Sequence, residues 1–287
     1  EGADGTDGIT SFTAASTSGA GGFSVGQHTG FNKNTDDFVA WNWLAGGTSP
    51  SKTYKVVVVS DSGNKYRFRN SADDATFAQS AVTLDLQEGG TYTFDWSDST
   101  AQSHPIRFSL TADGTHGSGS EYTTGVVKDD SAYKTTITVA SGVATLYYYC
   151  QYHSGMGGQV NTNTTHGSTN FDGSILSVVQ SNTTAGFSIV TFTGNGSNDA
   201  TIGHGVQVND TAKTPAMIIT KNRDEAQNWF CYHKSLGATD YIRLNLTNAS
   251  GSATSIWNDT EPTTSVFSVG NDTATNGSSD KIVAYCF

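Results

Sequence analysis

Apolar and polar residues alternate along this chain in short stretches, each cut by glycine, asparagine, aspartate or serine. From Tyr54 to Phe68 an apolar strand-like run passes through Asp61-Ser62-Gly63-Asn64 into the alternation Tyr66-x-Phe68. Gly90 to Trp96 and Val143 to Tyr149 read the same way, as do Gly186 to Thr193, Met217 to Lys221, Trp229 to His233 and Val283 to Phe287. A period of two with turn residues between runs predicts strands, because successive side chains on a strand point to opposite faces. An all-β chain follows.

Composition agrees with that reading. Charged residues make up only 14% of the 287, glycine numbers 32, and strong helix formers are scarce. Aromatic residues, at 11%, supply the area that a core needs and separate this chain from a disordered one. Its length fits at least two cores. The formal net charge of -11, with no cluster of lysine and arginine, argues against a nucleic-acid partner, whose binding rests on neutralised phosphates. No run approaches 18 apolar residues and no signal segment opens the chain, so neither membrane insertion nor an export signal of its own is expected. Three cysteines make no disulfide framework; Cys231 and Cys286 read equally as free core thiols or as one bridge.

The most informative stretch is Tyr147-Tyr148-Tyr149-Cys150-Gln151-Tyr152-His153-Ser154-Gly155-Met156-Gly157-Gly158, directly after a strand-like run. A thiolate, an imidazole and a thioether at this spacing are the donor set of a mononuclear copper site, which wants one cysteine, two histidines and a weak methionine. The second imidazole must come from elsewhere, and His104, heading the strand-like stretch Pro105 to Phe108, is the best candidate. Zinc is the alternative metal, since two histidines and a cysteine suit it while methionine does not. The plain alternative is a buried cysteine and methionine filling a core, with no metal.

Residues Thr53 to Val160 resemble a cupredoxin, on the strands named above, the upstream histidine and the Cys-x2-His-x2-Met loop. The short ligand loop is similar to that of amicyanin-type cupredoxins. The resemblance implies His104, Cys150 and His153 in the metal plane and Met156 axial. Pro105 departs from the pattern, because many cupredoxins carry an asparagine there that stiffens the site, and proline has no backbone donor.

An internal repeat gives the second result. Phe23-Ser24-Val25-Gly26 matches Phe267-Ser268-Val269-Gly270, and without a gap Thr29, Asn32, Asp36, Val39 and Ala40 meet Thr273, Asn276, Asp280, Val283 and Ala284, a constant offset of 244 positions. Residues 1–46 therefore read as the closing strands of a partial β-sandwich repeat, 50–160 as the cupredoxin-like domain and 172–287 as a fuller copy of the repeat. Glycine-, serine- and threonine-rich linkers at 45–51 and 161–168 separate them. The expected fold is thus a cupredoxin-like Greek-key sandwich plus a jelly-roll or lectin-like β-sandwich module, with an N-terminal partial copy of it. The strand Phe38 to Trp43 is expected to pair with a sheet that residues 47–287 do not supply. Residues 172–287 resemble a repeated sandwich module of marine bacteriophage structural proteins. That resemblance implies one period of a longer array, self-association with neighbouring copies, and a virion or extracellular location.

Other chemistry is weaker. His204 and His233, with Ser235 and Asp224 or Asp240, lack any nucleophile-elbow context. The pairs Asp36-Asp37, Asp73-Asp74 and Asp129-Asp130 fit turn chemistry better than calcium or glycoside hydrolysis. Trp41, Trp43, Trp96, Trp229 and Trp257 sit in or beside strand-like runs and are expected in cores rather than on a sugar-binding face. The expectation is a non-enzymatic structural protein of an appendage or fibre, phage-like, carrying a copper-binding domain. A copper electron carrier and a module recognising a host surface glycan are the rivals.

Overall fold

The computed structural model describes residues 9–13, 22–26, 29–40, 42–43, 49–164 and 167–287. It divides into two compact units, Glu1–Trp43 and Leu44–Phe287. Strands dominate both, in an all-β sandwich architecture.

In the first unit, β1 (Ile9–Thr13) and β2 (Gly22–Val25) form an antiparallel pair, followed by one helical turn, α1 (Thr29–Asn32). Of the strand expected from Phe38 to Trp43, residues 38–40 and 42–43 form none, and Trp41 lies outside the described residues.

The second unit holds two sandwiches, each with its own core. The first contains β3 (Ser51–Ser60), β4 (Asn64–Phe68), β5 (Leu84–Gln87), β6 (Thr91–Asp95), β7 (Ile106–Ser109), β8 (Val126–Asp129), β9 (Lys134–Thr138), β10 (Leu146–Cys150) and β11 (Gly158–Asn163). One sheet has the order β4-β3-β6-β9-β8, the other β5-β11-β10-β7. The long β3 serves two partners: its first half runs parallel to β6 and its second half antiparallel to β4. Alternation decides what faces inward. Tyr92 and Phe94 of β6, Leu84 and Leu86 of β5, and Leu146, Tyr148 and Cys150 of β10 fill the space between the sheets. At roughly 25 cal/mol per Å2 of buried apolar area, this aromatic-rich core is the main stabilising term of a domain without disulfides.

The second sandwich begins at β12 (Ser168–Asn170), and continues with β13 (Ser177–Asn182), β14 (Phe187–Thr193), β15 (Ala200–Gly203), β16 (Gln207–Val208), β17 (Thr211–Ala212), β18 (Met217–Asn222), β19 (Phe230–His233), β20 (Asp240–Arg243), β21 (Gly251–Ser252), the turn α2 (Thr254–Trp257), β22 (Val266–Val269), the turn α3 (Thr273–Asn276) and β23 (Lys281–Cys286). Eight of these strands make one sheet of order β12-β13-β14-β23-β18-β19-β20-β21, with the last strand, β23, at its centre. The pair β15 and β22 brings Ile202, Phe267 and Val269 into the same core. Cys231 and Cys286 are free and buried. They face Ile219 and Ile218 respectively, neighbours on β18 that point to opposite faces, so their sulfurs cannot meet. Trp96 and Trp257 are buried as expected, Trp229 is half-buried, and Trp43 is exposed.

The junction between the sandwiches is not a loose linker. β11 extends through Asn163, and β12 already pairs with β13 while its Thr169 carbonyl accepts from the Tyr54 hydroxyl at 3.0 Å in the first sandwich. Phe171, one residue beyond β12, enters the first core, stacked on Phe68 at 4.7 Å and edge-on to Tyr54 and Phe77. Phe171→Ala should therefore cost about 3 kcal/mol, the loss of a buried aromatic that leaves a cavity, and should do so in the first sandwich. A denaturant titration followed by the fluorescence of Trp96 checks this, and an unchanged midpoint would show that Phe171 is dispensable.

Candidate metal centre

The antiparallel register of β7 against β10 sets the site. Cys150 lies opposite Ile106, and the ladder continues one bond further, where the Gln151 N–H donates to the Pro105 carbonyl at 3.0 Å. His104, immediately before Pro105, is therefore held beside the end of β10. After Cys150 the chain turns sharply and returns as β11. Gly155 takes a left-handed conformation (φ 71°), and a side chain on Gly157 would strike the Tyr148 carbonyl, so the turn needs glycine at both positions. That turn carries His153 back over the cysteine.

The outcome is a convergence of three donors. Cys150 Sγ stands 3.7 Å from His104 Nδ1 and 3.5 Å from His153 Nδ1, and the three ligand atoms all lie within 4.8 Å of one another. The two imidazoles are 4.6 Å apart between ring centroids and inclined at 50°. Both present Nδ1 to the sulfur, so that all three donor atoms face one another. Cys150 is fully buried, His104 is 7% exposed, and His153 lies at the surface. Met156, from the same loop, is buried in the first core. Among the described residues no other group of histidine, cysteine and carboxylate side chains converges in this way. Burial, and secondarily the neighbouring His153, holds the His104 imidazole below its ordinary pKa, which favours the neutral form that binds a metal.

Pro105 leaves the stiffening of this site to other residues. Tyr66 on β4, fully buried, donates its hydroxyl to the His104 carbonyl at 2.7 Å, while its backbone N–H donates to the Met156 carbonyl at 3.0 Å. One residue thus ties both ligand segments to a third strand. His116, in the 310 turn Gly114–Gly117, reaches the Cys150 carbonyl at 3.0 Å, and Asp113 accepts from the Gly155 N–H at 2.8 Å. Lys65 donates to the Gly155 carbonyl. Sequence reasoning missed Tyr66, His116 and Asp113. Tyr66 sits in the alternation of β4 and reads as core, and the reach of its hydroxyl across the sandwich leaves no local signal.

The other candidates resolve into structural roles. His204 is fully buried and its ring is satisfied by backbone, Nδ1 accepting from the Val206 N–H at 3.0 Å and Nε2 lying 3.1 Å from the Thr263 carbonyl. His233 Nδ1 accepts from the backbone N–H of Ser235, not from its hydroxyl. Asp73 pairs with Arg69, Asp36 with Lys33, and Asp130 with the buried Arg107, while Asp129 caps the turn at Ser131 and Ala132.

A family model described as a domain of unknown function (DUF7483) matches residues 160–287. No curated protein and no solved structure matches the chain. The family match covers the second sandwich, whereas His104, Cys150, His153 and Met156 all precede it.

Two outcomes are expected from this geometry. Tyr66→Phe should lower the stability of the metal-free chain by only about 1 kcal/mol, the net worth of one buried hydrogen bond. It should weaken zinc binding about tenfold or more in a calorimetric titration, because residues that orient ligands typically contribute 10- to 100-fold. Unchanged affinity would show that Tyr66 merely packs. For His204, burial depresses the pKa to about 4 from an ordinary 6.5, so the unfolded chain takes up a proton first on acidification. Stability from this residue is complete above about pH 6.5 and is lost as the pH falls toward 4, by up to about 3 kcal/mol. Urea midpoints at pH 7.5, 5.5 and 4.5 measure the slope, which His204→Gln should flatten.

Proposed function

We propose that this chain is a non-enzymatic structural component of an extracellular or virion appendage, and that its first sandwich is a cupredoxin-like domain holding one copper ion. The observation that carries the metal reading is the meeting of His104, Cys150 and His153 around a common point at the mouth of a rigid sandwich. Two imidazoles and one thiolate suit copper, zinc or nickel by donor type. The choice of copper rests on Met156, which follows His153 by three residues in the same loop and is buried in the same core as Cys150: a soft thioether is a donor that copper accepts and zinc does not. Bound there, copper would supply a thiolate-to-metal charge-transfer chromophore and a one-electron couple. It would also fasten the turn between β10 and β11 to the segment ahead of β7, stabilising a fold with no disulfide among its described residues.

The appendage reading rests on different support, the sequence resemblance of residues 172–287 to phage structural modules and the tight coupling of the two sandwiches through Thr169 and Phe171. A second reading has one observation in its favour. His153 is exposed while Cys150 and His104 are buried, the arrangement through which a carrier passes an electron at its surface, next to an exposed Tyr152.

Stoichiometric copper(II) added to the metal-free chain should produce intense visible absorption and raise the melting temperature. Cys150→Ser should abolish the colour, because it deletes the sole thiolate of the set. Met156→Leu should keep the colour and shift the reduction potential, since the axial donor tunes the couple. A chain that stays colourless with its thiol still reduced overturns the copper reading, while binding of zinc without colour by the same residues would reassign the metal. Electron self-exchange measured on the copper form separates the two roles: fast exchange favours the carrier, slow exchange the structural site.

A further inference from the structure

The N-terminal unit keeps the local structure of the C-terminal closing segment although its surroundings differ. The 244-residue offset maps β2 onto β22 and α1 onto α3, first residue to first and last to last. One side-chain bond repeats as well. Asn32 Nδ2 donates to the Gly26 carbonyl at 3.3 Å, and Asn276 Nδ2 donates to the Gly270 carbonyl at 2.9 Å. The match in residues is thus also a match in conformation.

What the C-terminal copy has in addition is a body to rest on. There β22 pairs with β15, and β23 occupies the lane between β14 and β18, bonded along both edges. Asn276 extends its amide to Asn195 and Ser197, and the Asp280 carboxylate accepts from Asn222. Phe267 is 1% exposed, and Val269, Asn276, Ile282 and Ala284 are fully buried. In the N-terminal copy Asp36 turns to Lys33 instead, residues 36–40 form no strand, and Phe23, Phe38 and Val39 are 38%, 50% and 70% exposed. The shared positions Phe23, Val25, Asn32 and Ala40 correspond to Phe267, Val269, Asn276 and Ala284, which in the C-terminal copy all face the body.

We propose that residues 22–43 are a docking segment for a β-sandwich body built like residues 168–265, supplied by a second copy of this chain. β2 would lie along the β15 strand of that copy, and residues 37–42 would enter the lane between its β14 and β18 as an added strand. The main-chain bonds of that lane would supply affinity, and Phe23, Phe38 and Ala40, seated as Phe267, Ile282 and Ala284 are seated now, would supply register. The acceptor's own β23 competes for the lane, so docking is an exchange of like segments between copies. The inference is independent of the metal site.

Two experiments on the full chain test it. In Ile282→Asp/Ala284→Asp, which evicts the resident strand, residues 22–43 should gain at least tenfold protection from amide hydrogen exchange, and the chain should become a concentration-dependent oligomer by light scattering. Adding Phe38→Asp should remove both effects. Should the double variant fail to fold, the otherwise native chain still decides. Val39→Cys in one population and Thr191→Cys in another, which mirror the facing pair Val283 and Thr191, should cross-link on mixing under mild oxidation. The off-register mixture of Val39→Cys with Ile189→Cys should cross-link at least tenfold more slowly. Residues 22–43 that stay unprotected in the double variant, equal rates in the two mixtures, or protection gained while the chain remains monomeric would each overturn the proposal.

Discussion

A slip of β10 against β7 by a single residue would turn Cys150 out of the core and carry His104 away from it, since side chains alternate faces along a strand. The pairing of Cys150 with Ile106 is thus the constraint on which the candidate site depends. The core enforces it. Leu146, Tyr148 and Cys150 share the inward face of β10, so a slip would also expose Leu146 and Tyr148, at a cost of several kcal/mol in lost apolar burial. The candidate donors Cys150 and His104 are thus aligned by hydrophobic burial alone.

Rigidity around the donors comes from hydrogen bonds to the backbone of the segments that carry them. Tyr66 joins the His104 carbonyl to the Met156 carbonyl, Gln151 joins Pro105, and His116 holds the carbonyl of Cys150. These contacts come from β4 and from the 310 turn, elements far apart in sequence that the sandwich brings to one end. A donor set held in place this way loses little entropy on binding an ion, which is the physical meaning of a preformed site.

The second sandwich shows the complementary constraint, that a central strand needs neighbours on both edges. β23 exists as a strand because β14 and β18 satisfy its N–H and C=O groups. Residues 37–42 share its pattern and form no strand among the described residues. One residue pattern therefore gives two structures according to what flanks it, whereas the turn α1, whose stabilising bond from Asn32 is local, forms in both settings.

Sequence by itself determined the all-β class and the positions of the main strands, and it singled out the residues of the candidate site. Period-two alternation between turn residues is a local signal, and Cys150, His153 and Met156 fall within seven residues, so their proximity follows from chain connectivity alone. The free state of Cys231 and Cys286 was left open by sequence and was decided by their facing opposite sides of β18. Likewise His104 was legible as a candidate, but its approach to Cys150 required the pairing of β7 with β10 across more than forty residues. Tyr66, Phe171 and Thr169 carried no signal, because their roles are contacts made across sheets and between sandwiches. Such contacts depend on which strands become neighbours, a choice made by burial of the whole core, and only the tertiary structure records it.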